Sequence, residues 1–250
     1  MGINRCFNIM DFRRIAKRKL PAPVFHYLDG GADDEWSLRR NTDAYDDYEL
    51  LPSHLSDVSS IDTRSTLFGE PVDLPLMIAP TGANRLFHRD GEPAVAKAAD
   101  DSGIPYSLST VGTTAIDDIA AIGSNPKMFQ IYVLKDRELT RHFVQRCKES
   151  KYTALCLTAD TPVAGNRERD EVYGMMATAR PALASVPSML RHPGWLYRAI
   201  VRKDMELVNI EDALPNRKFT DTSVKEFLDG QLDRSLTWKD VEWLAAEWGG

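Results

Sequence analysis

Between residues 74 and 162 one pattern repeats: a short apolar run, then a helical segment, at a spacing of roughly 25 residues. This rhythm constrains the fold more than any other feature, because parallel strands cannot be joined by a tight turn and need a crossover, usually a helix. The apolar runs predict strands over 76–79, 105–108, 128–133 and 154–158. The intervening segments predict helices over 92–102, 115–122 and 137–150, with Gly103 and Gly123 placed to stop the first two.

The pattern fits an α/β fold of the (β/α)8 barrel type, but a closed barrel needs eight βα units and four are visible. The expectation is one domain over 1–250, C-terminally incomplete: a helical preface over 1–73, four βα units over 74–173, an excursion over 174–236 and a last helix over 237–250. In the preface, Phe12, Ile15, Ala16 and Leu20 fall at helical spacing until Pro21 and Pro23 break the run. Residues 24–28 then form an apolar stretch entering Gly30-Gly31, and 33–45 predicts a further helix with acids in its first turn. The excursion, with scattered Pro, Met and aromatic residues, is too long for an ordinary βα loop. Thr237, with Asp240 three residues on, predicts the start of the last helix.

With 250 residues, 43% hydrophobic and 27% charged, the chain can bury a sizeable core. A net charge of -6 argues against a general nucleic-acid binder, which needs a broad basic face. Cys6, Cys147 and Cys156 form no disulfide framework, and Cys156, inside an apolar run, is expected to be inert core. With no signal-peptide or membrane-spanning pattern, a cytoplasmic location is expected. Met1-Gly2 is no myristoylation signal, since position 6 is Cys. Dinucleotide-binding, P-loop, nucleophile-elbow and zincin motifs are absent, and the histidines lack metal-ligand spacing, so no metal is expected.

Reactive groups in parallel α/β folds collect at the carboxyl ends of the strands. Those ends hold Pro80-Thr81-Gly82, Ser109-Thr110, Gln130 with Tyr132, and Thr158 with Asp160. Residues two apart on a strand share a face, so two polar pairs would lie on adjacent strands. Such a set suits a flat heteroaromatic cofactor with edge donors and acceptors better than it suits a hydrolytic triad.

Five stretches carry a resemblance. They are Tyr27-Leu28-Asp29-Gly30-Gly31-Ala32 with Asp34-Glu35-Trp36; Ile78-Ala79-Pro80-Thr81-Gly82; Phe129-Gln130-Ile131-Tyr132-Val133; Leu157-Thr158-Ala159-Asp160-Thr161-Pro162; and Asp233-Arg234-Ser235-Leu236-Thr237-Trp238-Lys239-Asp240. In this order they resemble the FMN-dependent 2-hydroxy acid dehydrogenase family, which includes glycolate oxidase, L-lactate dehydrogenase and mandelate dehydrogenase. The resemblance implies oxidation of an L-2-hydroxy acid, with L-lactate a candidate, to the 2-oxo acid. It places the FMN contacts on Pro80, Thr81, Gly82, Ser109, Gln130 and Thr158, and substrate binding on Tyr27, Tyr132 and Arg167. Tyr132 and Asp160 take the catalytic positions, Asp160 being the buried carboxylate that orients the base histidine. The family's base His, flavin-facing Lys, second substrate Arg and FMN-phosphate site fall beyond Gly250, which implies an inactive chain when alone. It further implies a quinone or other electron acceptor and a homo-oligomer when complete. Gly82 stands where the family's oxidases usually carry Ala, leaning toward a dehydrogenase, and Val111 stands where small-substrate oxidases often carry Trp, leaning toward a larger substrate.

Residue chemistry alone favours Tyr27 as a packed helix residue and is compatible with Asp160 as a turn cap, and the family motif reverses both; Thr81, Ser109 and Thr158 suit loop backbone and ligand equally well. Residues 175–203 carry Arg180, Arg191, Arg198, Arg202 and Lys203 and no acid. There Trp195, Leu196, Ala199 and Ile200 share a helical face, which either packs on the barrel or, through 188–203, lies on an anionic membrane. The alternative to an enzyme is a non-catalytic half barrel whose open sheet edges bind a partner or a complementing chain.

Overall fold

A computed structural model describes residues 2–160, 163, 165–174, 183–202, 205–213 and 230–249, which fall into two compact units. The first draws on residues 2–61 and 165–202, the second on 62–163, 205–213 and 230–249. In the first unit, α1 (Ile9–Lys19) starts at Asn8, whose side chain accepts from the Asp11 N–H at 3.0 Å, and ends in Lys17, Arg18 and Lys19, favourable to the helix dipole. The apolar stretch over 24–28 proves to be helical, within α2 (Ala22–Asp29). Pro23 sits in its first turn, where a missing N–H costs nothing, so the prolines start this helix as well as ending the one before. The next helix, α3 (Trp36–Asp43), begins later than predicted because Asp33 and Glu35 are left-handed, with φ of 47° and 56°.

The second unit opens with a hairpin that the sequence pattern did not suggest: β1 (Ser65–Leu67) and β2 (Glu70–Val72) pair antiparallel around Phe68 and Gly69, both at positive φ. The four predicted strands follow as one parallel sheet in the order β3 (Ile78–Thr81), β4 (Tyr106–Ser109), β5 (Lys127–Ile131) and β6 (Ala154–Leu157). After β3 a short α4 (Asn84–Phe87) precedes the crossover α5 (Gly91–Asp101); α6 (Ile116–Ala120) and α7 (Arg137–Glu149) make the other crossovers. Opposite residues run Ser109, Gln130, Cys156 across three strands. Phe129 and Ile131 point the other way and are wholly buried. There Phe129 meets Phe143 of α7 at 6.0 Å and Tyr152 at 6.2 Å, ring centre to ring centre. The Tyr152 hydroxyl donates to the Ile116 carbonyl at 3.0 Å, fastening α6 to the strand that follows α7. Burial pushes the Cys147 thiol well up, so it stays protonated in this core. Cys156, expected in the core, is only half-buried, because it lies on the other face of the sheet beside Gln130.

The chain returns to the first unit with α8 (Glu168–Tyr173), which packs on α2. In the excursion, α9 (Val186–Leu190) and α10 (Pro193–Tyr197) run into a π-helical turn, Arg198–Arg202. The Ser188 hydroxyl accepts from Ala22 N–H at 2.8 Å, holding α9 to the start of α2. The single face predicted there is divided: Trp195, Leu196 and Ala199 are half-buried, while Ile200 is exposed. Back in the second unit lie α11 (Val208–Ala213) and α12 (Trp238–Trp248), the latter opening in a Thr237–Asp240 capping box. Arg137 of α7 docks this end, bonding Asp233 at 2.8 Å and Asp240 at 2.7 Å with its guanidinium 5.6 Å from the Trp243 ring centre.

Phe129→Ala empties the centre of the sheet–helix core and is expected to lower stability by about 3–5 kcal/mol in chemical denaturation, with an unchanged midpoint counting against this packing. Arg137→Lys keeps the charge but not the fork, whose Nη2 bonds both carboxylates while Nη1 donates to the Leu134 carbonyl, and is expected to lose about 1–3 kcal/mol in the same measurement.

Candidate active site

The second unit carries a polar row at the carboxyl ends of its strands. Its centre is the buried Gln130 amide, whose oxygen accepts from the Ser109 hydroxyl at 2.8 Å and the Thr110 N–H at 3.2 Å, and whose nitrogen donates to the Thr158 hydroxyl at 2.5 Å. A primary amide has two N–H donors, so one remains for a ligand, as does the hydroxyl proton of Thr158. The Ser107 hydroxyl, on the same face of β4, is buried with no partner. Unpaired donors in a row this well buried are costly unless something binds them, and the edge of a flat, heteroatom-rich ring is what the row fits.

Beside the row, Tyr132 and Thr158 line a cavity of about 120 Å³ together with Leu232, Arg234 and Leu236. At the end of β3, Thr81 donates to the Asn84 side-chain oxygen at 3.0 Å and Pro80 is half-buried. A Cβ on Gly82 would lie 2.4 Å from Val111 Cγ2, so a side chain at 82 would need Val111 to turn aside. Asp160, expected to be buried, is exposed beyond the end of β6, since no described element packs over it.

In the first unit, α2 and α8 bring Tyr27 and Arg167 together, the guanidinium lying 5.1 Å from the ring centre. Arg167 Nε donates to Asp170 at 2.7 Å, and one terminal nitrogen donates to the Tyr27 carbonyl. Burial pushes the Tyr27 phenol up, Arg167 partly opposing it, so Tyr27 is an O–H donor at neutral pH. The Gly30-Gly31 turn is held by ion pairs from Arg169 to Glu35 at 2.7 Å and to Asp29 at 3.2 Å. Asp29 also pairs with Arg13, and that bond holds its carboxyl below the usual range. His26 stacks on Tyr173 at 3.9 Å, and burial, reinforced by Arg169, lowers its basicity.

The fold thus brings Pro80, Thr81, Gly82, Ser109, Gln130, Tyr132 and Thr158 to the strand ends of one unit and pairs Tyr27 with Arg167 in the other. Sequence inspection missed Asp170, buried under Arg167, although the three-residue spacing from Arg167 was a readable signal. It also missed Glu92 and Asn209, buried polar residues whose partners lie in other elements. Among the described residues, no His, Cys, Asp or Glu group is placed to hold a metal ion, and no helix is long and apolar enough to cross a membrane.

The family model for FMN-dependent dehydrogenases matches residues 16–250. A putative L-lactate dehydrogenase of Mycobacterium tuberculosis is 37% identical over 249 residues, covering 99% of this chain and 58% of the relative. The L-lactate dehydrogenase of Vibrio parahaemolyticus is 37% identical over 244 residues, covering 96% of the chain and 63% of the relative. Among solved structures, the monotopic membrane protein (S)-mandelate dehydrogenase superposes with a TM-score of 0.85 at 32% identity, over 98% of this chain and 64% of that one. The chain therefore spans about three fifths of the relatives it matches. A parallel four-stranded sheet with helical crossovers, a polar row suited to a flavin edge, and a match over most of the length lead to one conclusion: the chain belongs to the FMN-dependent dehydrogenase family and holds part of its (β/α)8 barrel.

Proposed function

We propose that the protein carrying this chain oxidises an L-2-hydroxy acid to the 2-oxo acid with FMN, and that these residues supply the flavin-edge and carboxylate-binding parts of the site. The observation that carries this is the Ser109–Gln130–Thr158 row, buried at Ser109 and Gln130 and half-buried at Thr158, with its unused donors. Pro80, Thr81 and Gly82 at the end of β3 complete the edge contacts. FMN held there would supply the acceptor for the two electrons and for the hydrogen on the carbinol carbon. Arg167 and Tyr27 hold the substrate carboxylate: Arg167 keeps Nη1 outside its bonds to Asp170 and Tyr27, and Tyr27 keeps its proton. Tyr132 stabilises charge developing on the hydroxyl oxygen, and Asp160 orients the family's base histidine as it takes the proton. Gly82 favours transfer to a quinone or other carrier over oxygen. The half barrel that binds a partner without catalysis gains no observation of its own.

A peripheral membrane contact has a separate observation behind it. Leu190, Tyr197, Ile200 and Val201 are exposed in a segment whose sequence also carries Arg191, Arg198 and Arg202 and no acid. Exposed apolar side chains in a net basic segment suit the interface of an anionic bilayer.

The product of the full reading frame that encodes this chain is expected to purify with a flavin spectrum and to oxidise L-lactate or (S)-mandelate faster with a quinone than with oxygen. A colourless protein that takes up no FMN would overturn the assignment. Arg167→Met is expected to raise KM about 100-fold with a smaller effect on kcat, since a charged contact to substrate is lost in ground and transition states alike. Removing 188–203 is expected to abolish flotation with phosphatidylglycerol liposomes; equal flotation without the segment ends the membrane proposal.

A further inference from the structure

The loop after β4, residues 110–115, and the first residue of α6 are held by side chains from two other helices that the proposed chemistry does not use. From α5, wholly buried Glu92 accepts through one oxygen from Thr113 N–H at 2.8 Å and Asn84 N–H at 3.1 Å. Through the other oxygen it accepts from the hydroxyls of Thr113 at 2.6 Å and Thr114 at 3.0 Å. From α11, wholly buried Asn209 accepts from Ile116 N–H at 2.9 Å and donates to the Thr114 carbonyl at 3.0 Å. The loops after β3 and β4 are also joined directly: Ala83 N–H donates to the Val111 carbonyl at 2.8 Å and the Arg85 guanidinium to the Thr113 carbonyl at 3.0 Å.

The loops so held adjoin Pro80, Thr81 and Gly82 on one strand and Ser109 on the next. Fixing them costs entropy once, on folding, where a loose loop would cost it again at each binding event. A carboxylate with four donors is also an unusual choice for packing alone, since an apolar side chain would fill the space without desolvating a charge. Both residues act on the same short loop, and one of them stands on the helix to which the excursion returns.

We propose that Glu92 and Asn209 are positioning residues for the cofactor, a clamp that sets residues 82–84 and 110–116 in the geometry that receives the flavin edge. The proposal rests on the FMN assignment above. It makes the return limb of the excursion part of the cofactor site through Asn209.

The test uses the full reading-frame product with Glu92→Leu, Glu92→Gln and Asn209→Leu, each checked for folding by circular dichroism. FMN affinity is measured by fluorescence titration, and amide exchange is followed at Asn84, Thr113 and Ile116. Glu92→Leu removes all four bonds and is expected to weaken FMN about 100-fold, and Asn209→Leu about tenfold, each with faster exchange at the amides it releases. Glu92→Gln keeps an acceptor for both N–H groups and lets the hydroxyls turn, so it is expected to stay within about threefold of the parent. KM for the hydroxy acid at saturating FMN should not move. Should Glu92→Leu fail to fold, Asn209→Leu set against Glu92→Gln still decides. A lower melting temperature with unchanged FMN affinity and exchange would overturn the clamp and leave a purely structural role. A parent protein that binds no FMN would overturn the cofactor assignment and the clamp with it, an outcome told apart because it appears before any substitution.

Discussion

The register of the four parallel strands is the constraint on which the candidate site depends. Side chains alternate between faces, so one-residue slippage of β5 would turn Gln130 toward α7 and Phe129 toward the polar row. What prevents this is the apolar face: Phe129 and Ile131 are wholly buried there, and a slip would part Phe129 from Phe143 and Tyr152 and drive the Gln130 amide among them without its partners. The alignment of Ser109, Gln130 and Thr158 is therefore set from the opposite side of the sheet, by residues with no chemistry of their own.

Given that register, buried polar groups settle the finer geometry. An apolar contact tolerates a shift of some tenths of an ångström, whereas a buried amide or carboxylate left without its partner carries a heavy desolvation cost. Gln130 links three strands in this way, and Glu92 and Asn209 hold the loop that follows one of them. In the other unit, Asp170 does the same for Arg167, occupying Nε so that the fork is held in one direction beside the Tyr27 ring. In each case a side chain poised for a ligand is oriented by a second one that is not.

The strands and crossover helices could be read from the sequence because each depends on local periodicity: β4 to β6 and α5 to α7 lie within a few residues of their predicted places. The polar row at the strand ends could be located because the strands themselves were legible, although Asp160, expected to be buried, is exposed. What could not be read depends on dihedral or long-range facts. The β1–β2 hairpin turns on two positive φ values at Phe68 and Gly69, one of them at an aromatic residue where the sequence gives little warning. The α2 helix was hidden because Pro23 signals a start and a stop with equal force. Glu92 stood only at the start of a predicted helix, and the fold alone brings Thr113 and Thr114 around it.

Two departures from the family pattern also change meaning once they are placed in space. Gly82 and Val111 are 29 positions apart in sequence and suggest separate conclusions, one about the electron acceptor and one about substrate size. In the fold they touch: a Cβ at position 82 would come within 2.4 Å of Val111 Cγ2, while the Val111 carbonyl accepts the Ala83 N–H. That backbone bond fixes the approach of the two loops, so a methyl group at 82 can be admitted only if the side chain at 111 turns away or shrinks. The residue at 111 and the residue at 82 are thus one steric solution, and a single exchange at either position tests the pair.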